Sequence, residues 1–262
     1  MKPLRLLRAC CLTLSALLLW PLAASPQSPL SDTRYSEIGL RLNRENLTGA
    51  HAPWRDDTVE LLHQFERRKV VLGRVVHSER FGLSDTTLGL SGYVPLGEAT
   101  TGFIDYATSS THRVLPRDSV HMQLSRALAD GWGLAGGLKH VRYDAATVDI
   151  ADLTVERYFS NYRAAFTLLP SRSNVAGSAT SYRLQLGYYY GERNNVQFVV
   201  GDGTEVERPT AINQLLATSV RSLGLYGRHW INPAWAFEYG AGQTVQGGFT
   251  RRSMDAGIRY RF

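Results

Sequence analysis

A two-residue alternation constrains this chain more than any other feature. Near its end Met254, Ala256, Ile258, Tyr260 and Phe262 fall on one side, and Ser253, Asp255, Gly257, Arg259 and Arg261 on the other. Successive side chains of an extended strand point to opposite faces, so this segment has one greasy face and one charged face. Tyr182, Leu184, Leu186, Tyr188 and Tyr190 alternate in the same way with Ser181, Arg183, Gln185, Gly187 and Tyr189. Trp235, Phe237, Tyr239 and Ala241 alternate with Ala236, Glu238, Gly240 and Gly242. Further copies lie at Ile38–Leu42, Val59–Phe65, Met122–Leu128 and Tyr162–Leu168, with blurred ones at Val70–Val76 and Ala217–Trp230.

After the N-terminal segment no stretch approaches the ~18 consecutive apolar residues of a membrane-spanning helix. Strands that cross a membrane need only ~9–11 residues, and fourteen of them leave about six residues for each connection. Twelve strands with longer connections also fit. The fold predicted is all-β, a closed antiparallel transmembrane barrel, because only closure pairs every backbone donor and acceptor in lipid.

Connection lengths reinforce this reading. Tight connections at Arg67–Lys69, Ala129–Gly131, Ser160–Asn161, Gly191–Asn194 and Ile231–Ala234 alternate with long ones at Asn43–Asp57, Ser110–Ser119, Leu169–Ser178 and Gly201–Asn213. Outer-membrane barrels keep short turns on the periplasmic side, which places the tight set and both termini there. Trp132, Phe159, Tyr162, Tyr188–Tyr190, Trp230 and Trp235 cluster beside the tight turns, where an interfacial girdle belongs.

Residues 1–24 read as a secretory signal. Met1–Arg8 is basic, Ala9–Leu22 is apolar but too short to span a bilayer, and Ala23-Ala24-Ser25 offers small residues for cleavage. Residues 25–262 then form the barrel. Both cysteines, Cys10 and Cys11, lie in the leader, which leaves the barrel without disulfides, zinc thiolates or a cysteine nucleophile. Removing Lys2, Arg5 and Arg8 leaves 26 basic residues against 23 acidic ones, too even a balance to suggest a nucleic-acid partner.

Polar positions assigned inward place Arg41, Glu60, Glu66, Arg74, Asp105, Glu156, Arg183, Arg228, Glu238, Asp255, Arg259 and Arg261 in the lumen. Both signs are present, so the residues can pair with one another or line a conduit for a neutral or zwitterionic solute such as a sugar. The lipid-facing Tyr260 and terminal Phe262 resemble the signal by which outer-membrane barrels are engaged by their assembly machinery. The partners expected are accordingly outer-membrane lipid, that machinery and periplasmic chaperones.

Catalytic chemistry would need a serine and a histidine at the membrane rim. His77 with Ser78, His121 with Ser125, and His112 with Ser109–Ser110 are the candidates. Ser78 points away from His77, and four strand residues separate His121 from Ser125 by ~13 Å. No Gly-x-Ser-x-Gly elbow is present. The histidines are scattered, and Asp202-Gly203-Thr204-Glu205 and Asp56-Asp57 read as solvated turns rather than calcium loops. No cofactor, metal site or catalytic residue is expected.

Several segments resemble the YaiO family of outer-membrane β-barrel proteins. They are Glu79-Arg80-Phe81-Gly82 with Ser84-Asp85, Leu115-Pro116-Arg117-Asp118-Ser119, Gly131-Trp132-Gly133-Leu134, Glu156-Arg157-Tyr158-Phe159, Gly203-Thr204-Glu205 and Arg259-Tyr260-Arg261-Phe262. The resemblance implies a bacterial outer-membrane barrel of undetermined activity, in some relatives attached to helical repeats and associated with surface polysaccharide. Ser25–Thr33 is too short for such a repeat. The leading expectation is a passive channel or surface scaffold. A rim-sited lipid-modifying enzyme and a soluble periplasmic ligand-binding barrel are the alternatives.

Overall fold

The computed structural model describes residues 34–49, 52–207 and 215–262. The expected signal, with Cys10 and Cys11, lies outside the described residues. Fourteen strands account for almost all of the rest: β1 (Tyr35–Leu47), β2 (Trp54–Glu66), β3 (Lys69–Arg80), β4 (Leu83–Pro95), β5 (Thr100–Ser109), β6 (Asp118–Ala127), β7 (Trp132–Arg142), β8 (Thr147–Phe159), β9 (Tyr162–Ser173), β10 (Gly177–Tyr190), β11 (Asn194–Glu207), β12 (Leu216–Trp230), β13 (Trp235–Gln246) and β14 (Phe249–Arg261). The blurred segments Val70–Val76 and Ala217–Trp230 are strands too.

Each strand pairs antiparallel with its sequence neighbours, and β1 pairs with β14 from Glu37↔Arg261 to Leu47↔Arg251, which closes the ring. Phe262 is stitched into the closure, since it and Ser36 exchange two backbone hydrogen bonds of 3.0 and 2.9 Å. Fourteen strands about 4.8 Å apart and tilted by ~40° make a backbone ring about 28 Å across. The start of β1 at Tyr35 and the end of the chain at Phe262 lie at one end of the barrel, here the terminal end, and the opposite end is the loop end.

The faces are those of a protein turned inside out. Leu61, Leu90, Leu124, Leu153, Leu186, Leu225 and Ile258 are exposed on the outside, whereas Glu37, Arg74, Gln197 and Arg259 are buried on the inside. Such a surface is stable only where the outer solvent is lipid. Rings encircle its terminal end: Phe159 stacks on Tyr162 at 5.7 Å, Tyr162 meets Tyr188 at 5.1 Å, and Trp235, Tyr260 and Phe262 follow one another at 4.7 and 6.0 Å.

Three expectations change. Strand parity turns Tyr189 and Trp230 inward, out of the girdle. Tyr189 packs near Tyr158, and Trp230 receives the guanidinium groups of Arg193 and Arg261 at 4.4 and 4.6 Å. The connections at the loop end are shorter than expected. Polar alternation continues past the apolar band, so neighbouring strands keep pairing: Asn43–Asp57 shrinks to a connection at 48–53, Leu169–Ser178 to 174–176, and Gly201–Glu207 belongs to β11. The loop-end turn at Phe81 and Gly82 is as tight as any at the terminal end, both residues taking positive φ (55° and 72°). Third, Glu66 sits exposed beside the β2–β3 turn, 3.7 Å from Lys69, rather than in the lumen.

Candidate functional site: the inner wall

Glycines on the inward face set the geometry of the lumen. In the register Arg259 on β14 faces Gly39 on β1, and Gly39 faces Glu60 on β2. The guanidinium lies flat across β1, 3.2 Å from where a Cβ on Gly39 would stand, and donates to Glu60 at 2.6 Å. The same arrangement recurs across β14, where Gly257 stands between Glu238 and Arg41 and the two meet at 3.1 Å. On β7 Gly137 lets Asp152 reach Gln123 and the Nε2 of His121, at 2.5 and 2.8 Å. Arg74 lies over Gly89 and donates to Asp105 at 2.7 Å and to Ser91 at 2.9 Å.

At the closure these pairs merge into one network. Glu238 accepts from Arg228 at 2.5 Å, Arg41 at 3.1 Å and Arg259 at 3.2 Å. Glu37 takes Arg261 at 2.5 Å and Arg259 at 3.5 Å. Three or four charges sharing partners in a buried wall satisfy lone pairs and protons that a lone pair would leave open, which is the condition for a buried ion pair to offset its desolvation. Among the described residues no ion pair joins strands more than two places apart in the ring.

Glu156, Arg183, Arg228, Glu238, Asp255 and Arg259 stand opposite the exposed apolar positions of their strands. Glu156 pairs with Arg163 at 2.7 Å, and Asp255 accepts from Asn43 at 2.9 Å. Arg183 has no ion-pair or hydrogen-bond partner among the described residues. Arg163 and Lys139 were missed. Their signal was parity, since both stand opposite the apolar positions of β9 and β7.

The serine and histidine candidates resolve differently. His77 faces outward and Ser78 inward. His121 binds Asp152, while the Ser125 hydroxyl lies 3.4 Å from the Thr101 carbonyl. Ser109 does meet His112 Nδ1 at 3.1 Å, but it is buried and its hydroxyl donates to the Pro116 carbonyl at 2.6 Å, so its proton is committed away from the imidazole. On the outer face His77 Nδ1 lies 3.3 Å from Thr86 Oγ1 and its Nε2 lies 3.7 Å from Glu79. The acidic segments expected as turns lie within strands β2 and β11, because the alternating backbone keeps pairing there, and three of their carboxylates meet arginines: Asp56 meets Arg80 on the inside, Asp57 meets Arg44 and Arg55 on the outside, and Asp202 meets Arg221. Among the described residues no three His, Cys, Asp or Glu side chains gather to hold a metal ion.

At the loop end Asp85 anchors the connection 110–117. Burial pushes its carboxyl up, but hydrogen bonds from the Thr111 hydroxyl and from the N–H groups of Val114 (2.7 Å) and Leu115 (2.9 Å) outweigh this and hold it below the usual carboxylate range.

A closed antiparallel ring with an apolar outside and an ion-paired inside defines an outer-membrane β-barrel protein. The profile described as the YaiO membrane beta barrel domain matches residues 35–207, about two thirds of the chain, and the chain belongs to that family. The matched region ends with β11, and β12–β14 complete the same ring. Comparison with curated protein sequences returns no match. Among solved structures, the CymD monoaromatic hydrocarbon channel superposes with a TM-score of 0.54 at 10% identity, over 88% of this chain and 88% of that one. The KdgM porin gives 0.45 at 10% identity, over 86% and 99%. A loop-deletion mutant of OmpT, an outer membrane protein of Vibrio cholerae, gives 0.49 at 9% identity, over 88% and 99%. The likeness lies in the fold alone.

Proposed function

We propose that this outer-membrane barrel is a non-enzymatic, passive conduit for small polar solutes, with both termini in the periplasm. One observation carries the reading: the charged side chains lie along the wall, over glycines, and pair with strands at most two places away. A wall stitched in this way keeps its charges beside the strands instead of bridging the ring, which is what a conduit through a barrel of this size requires. On β8–β11 hydroxyls and amides stand among the charges, through Thr154, Thr167, Gln185 and Gln197, groups that suit a hydroxylated solute such as a saccharide. The test is swelling of liposomes holding the refolded protein in iso-osmotic sugar solutions. Entry of mono- and disaccharides supports the conduit. Absence of swelling from barrels shown to be folded by their gel mobility contradicts it and leaves a scaffold role.

A second reading, a rim-sited lipid hydrolase, is favoured by the line of Thr86, His77 and Glu79 on the lipid-facing surface at the loop end. Acyl-chain release from phospholipid micelles that is lost in His77→Ala would support it. Equal release by the two proteins would remove it.

A further inference from the structure

The acids and the bases of the inner wall are not partnered alike. The acids of the lumen are engaged: Glu238, Glu60 and Glu37 by arginines at the closure, Asp105 by Arg74, Glu156 by Arg163, Asp152 by His121 and Gln123, and Asp255 by Asn43. Two cations hold no ion pair or hydrogen bond, although Asp105 and Asp152 lie near enough to attract Lys139. Among the described residues neither Lys139 on β7 nor Arg183 on β10 has an ion-pair or hydrogen-bond partner. They also stand at one level, each seven residues in from the terminal-end residue of its strand, Trp132 and Tyr190. The strands between them, β8 and β9, present Thr154 and Thr167 inward, whose hydroxyls bond each other at 2.8 Å.

Free hydrogen-bond valence decides what a passing solute meets. A cation entering this level finds each nearby carboxylate already holding a donor, and separating them would leave a buried charge unpaired. An anion finds an ammonium with three donors and a guanidinium with five, neither of which must first give up a partner. We infer that Lys139 and Arg183 form an anion-contacting level in the lumen and that the barrel passes anionic polar solutes, such as hydroxylated carboxylates, in preference to cations. The inference rests on the conduit reading and adds the charge of the solute to it.

The experiment is the reversal potential of the refolded full-length protein in planar bilayers under a potassium chloride gradient. The expected anion-to-cation permeability ratio is about 3. It should fall to about 1 in Lys139→Gln/Arg183→Gln and invert in Lys139→Glu/Arg183→Glu, while Arg252→Gln on the outer face leaves it unchanged. Neither replaced residue holds a wall contact, so folding should survive, as heat-dependent gel mobility would report. A conducting parent with a ratio at or below 1, or a double variant that keeps the parent's ratio, overturns the inference and leaves the conduit standing. Silence of folded barrels overturns the conduit and the inference together.

Discussion

Glu238→Gln should be the most damaging single change on the inner wall that leaves its shape intact. The substitution keeps one acceptor and removes the charge that Arg228, Arg41 and Arg259 share at 2.5, 3.1 and 3.2 Å. Breaking a buried ion pair by removing one partner costs about 3–5 kcal/mol. Arg259 retains Glu60 and Glu37, and the side chains of Arg41 and Arg228 keep 28% and 27% of their exposure, so water takes up part of the loss. The expected cost is therefore about 2–3 kcal/mol. Urea unfolding of the barrel in lipid vesicles, followed by tryptophan fluorescence, measures it directly. Coupling supplies a sharper arm: Glu238→Gln combined with Arg259→Gln should cost at least ~1 kcal/mol less than the two single changes added together. A loss below ~0.5 kcal/mol, or strict additivity, would show that the closure network does not act as a unit.

Three further outcomes are expected. Asp85 has a depressed folded-state pKa, so its contribution is full above the ordinary carboxylate value of about 3.9 and is lost as pH falls through the lower folded value. The protection of the Val114 and Leu115 amides, taken relative to intrinsic exchange at each pH, should therefore fall in acid, Asp85→Asn should show low protection already at neutral pH, and equal protection in the two proteins would contradict the anchor. Leu186→Arg on the lipid face should cost about 2–4 kcal/mol and Arg183→Leu under about 1, because Arg183 gives up no partner. The reverse order in the same urea assay would invert the faces. Deleting Phe262 removes a girdle ring of about 1.5–3 kcal/mol in burial and its two bonds to Ser36, too little to unfold the barrel. We expect the variant to accumulate in cells as a protease-sensitive periplasmic species yet refold in detergent, which would make Tyr260 and Phe262 a signal for assembly, whereas normal surface levels would refute that role.

The fold was legible because its code is local. A period of two over Met254–Phe262 or Tyr182–Tyr190 specifies both a strand and its faces without reference to any other segment. The length of the connections was not legible, because strands pair for as long as their neighbours allow, and polar alternation beyond the apolar band looks like loop. Partnership along the wall was hidden for a different reason. Arg259 and Glu60 are 199 residues apart and meet only because closure sets Gly39 between them. Gly39, Gly137 and Gly257 carry no chemistry of their own, so nothing in the sequence distinguished an inward glycine that lets an arginine lie flat from one that merely breaks a pattern. Parity was available for Lys139 and Arg163, and the same reasoning that placed Arg183 inward would have found them.

Labelling β10 tests most directly which face of the barrel meets lipid. Single cysteines placed at residues 182–188 of a chain whose own cysteines both lie in the N-terminal segment can be probed in vesicles with a lipid-dissolved quencher and a water-soluble thiol reagent. The expected result is an unbroken period of two, with the quencher reaching Tyr182, Leu184, Leu186 and Tyr188 and the aqueous reagent reaching position 183. Quenching at Arg183 and Gln185, or equal access at consecutive positions, would contradict a barrel with lipid outside and a charged wall within.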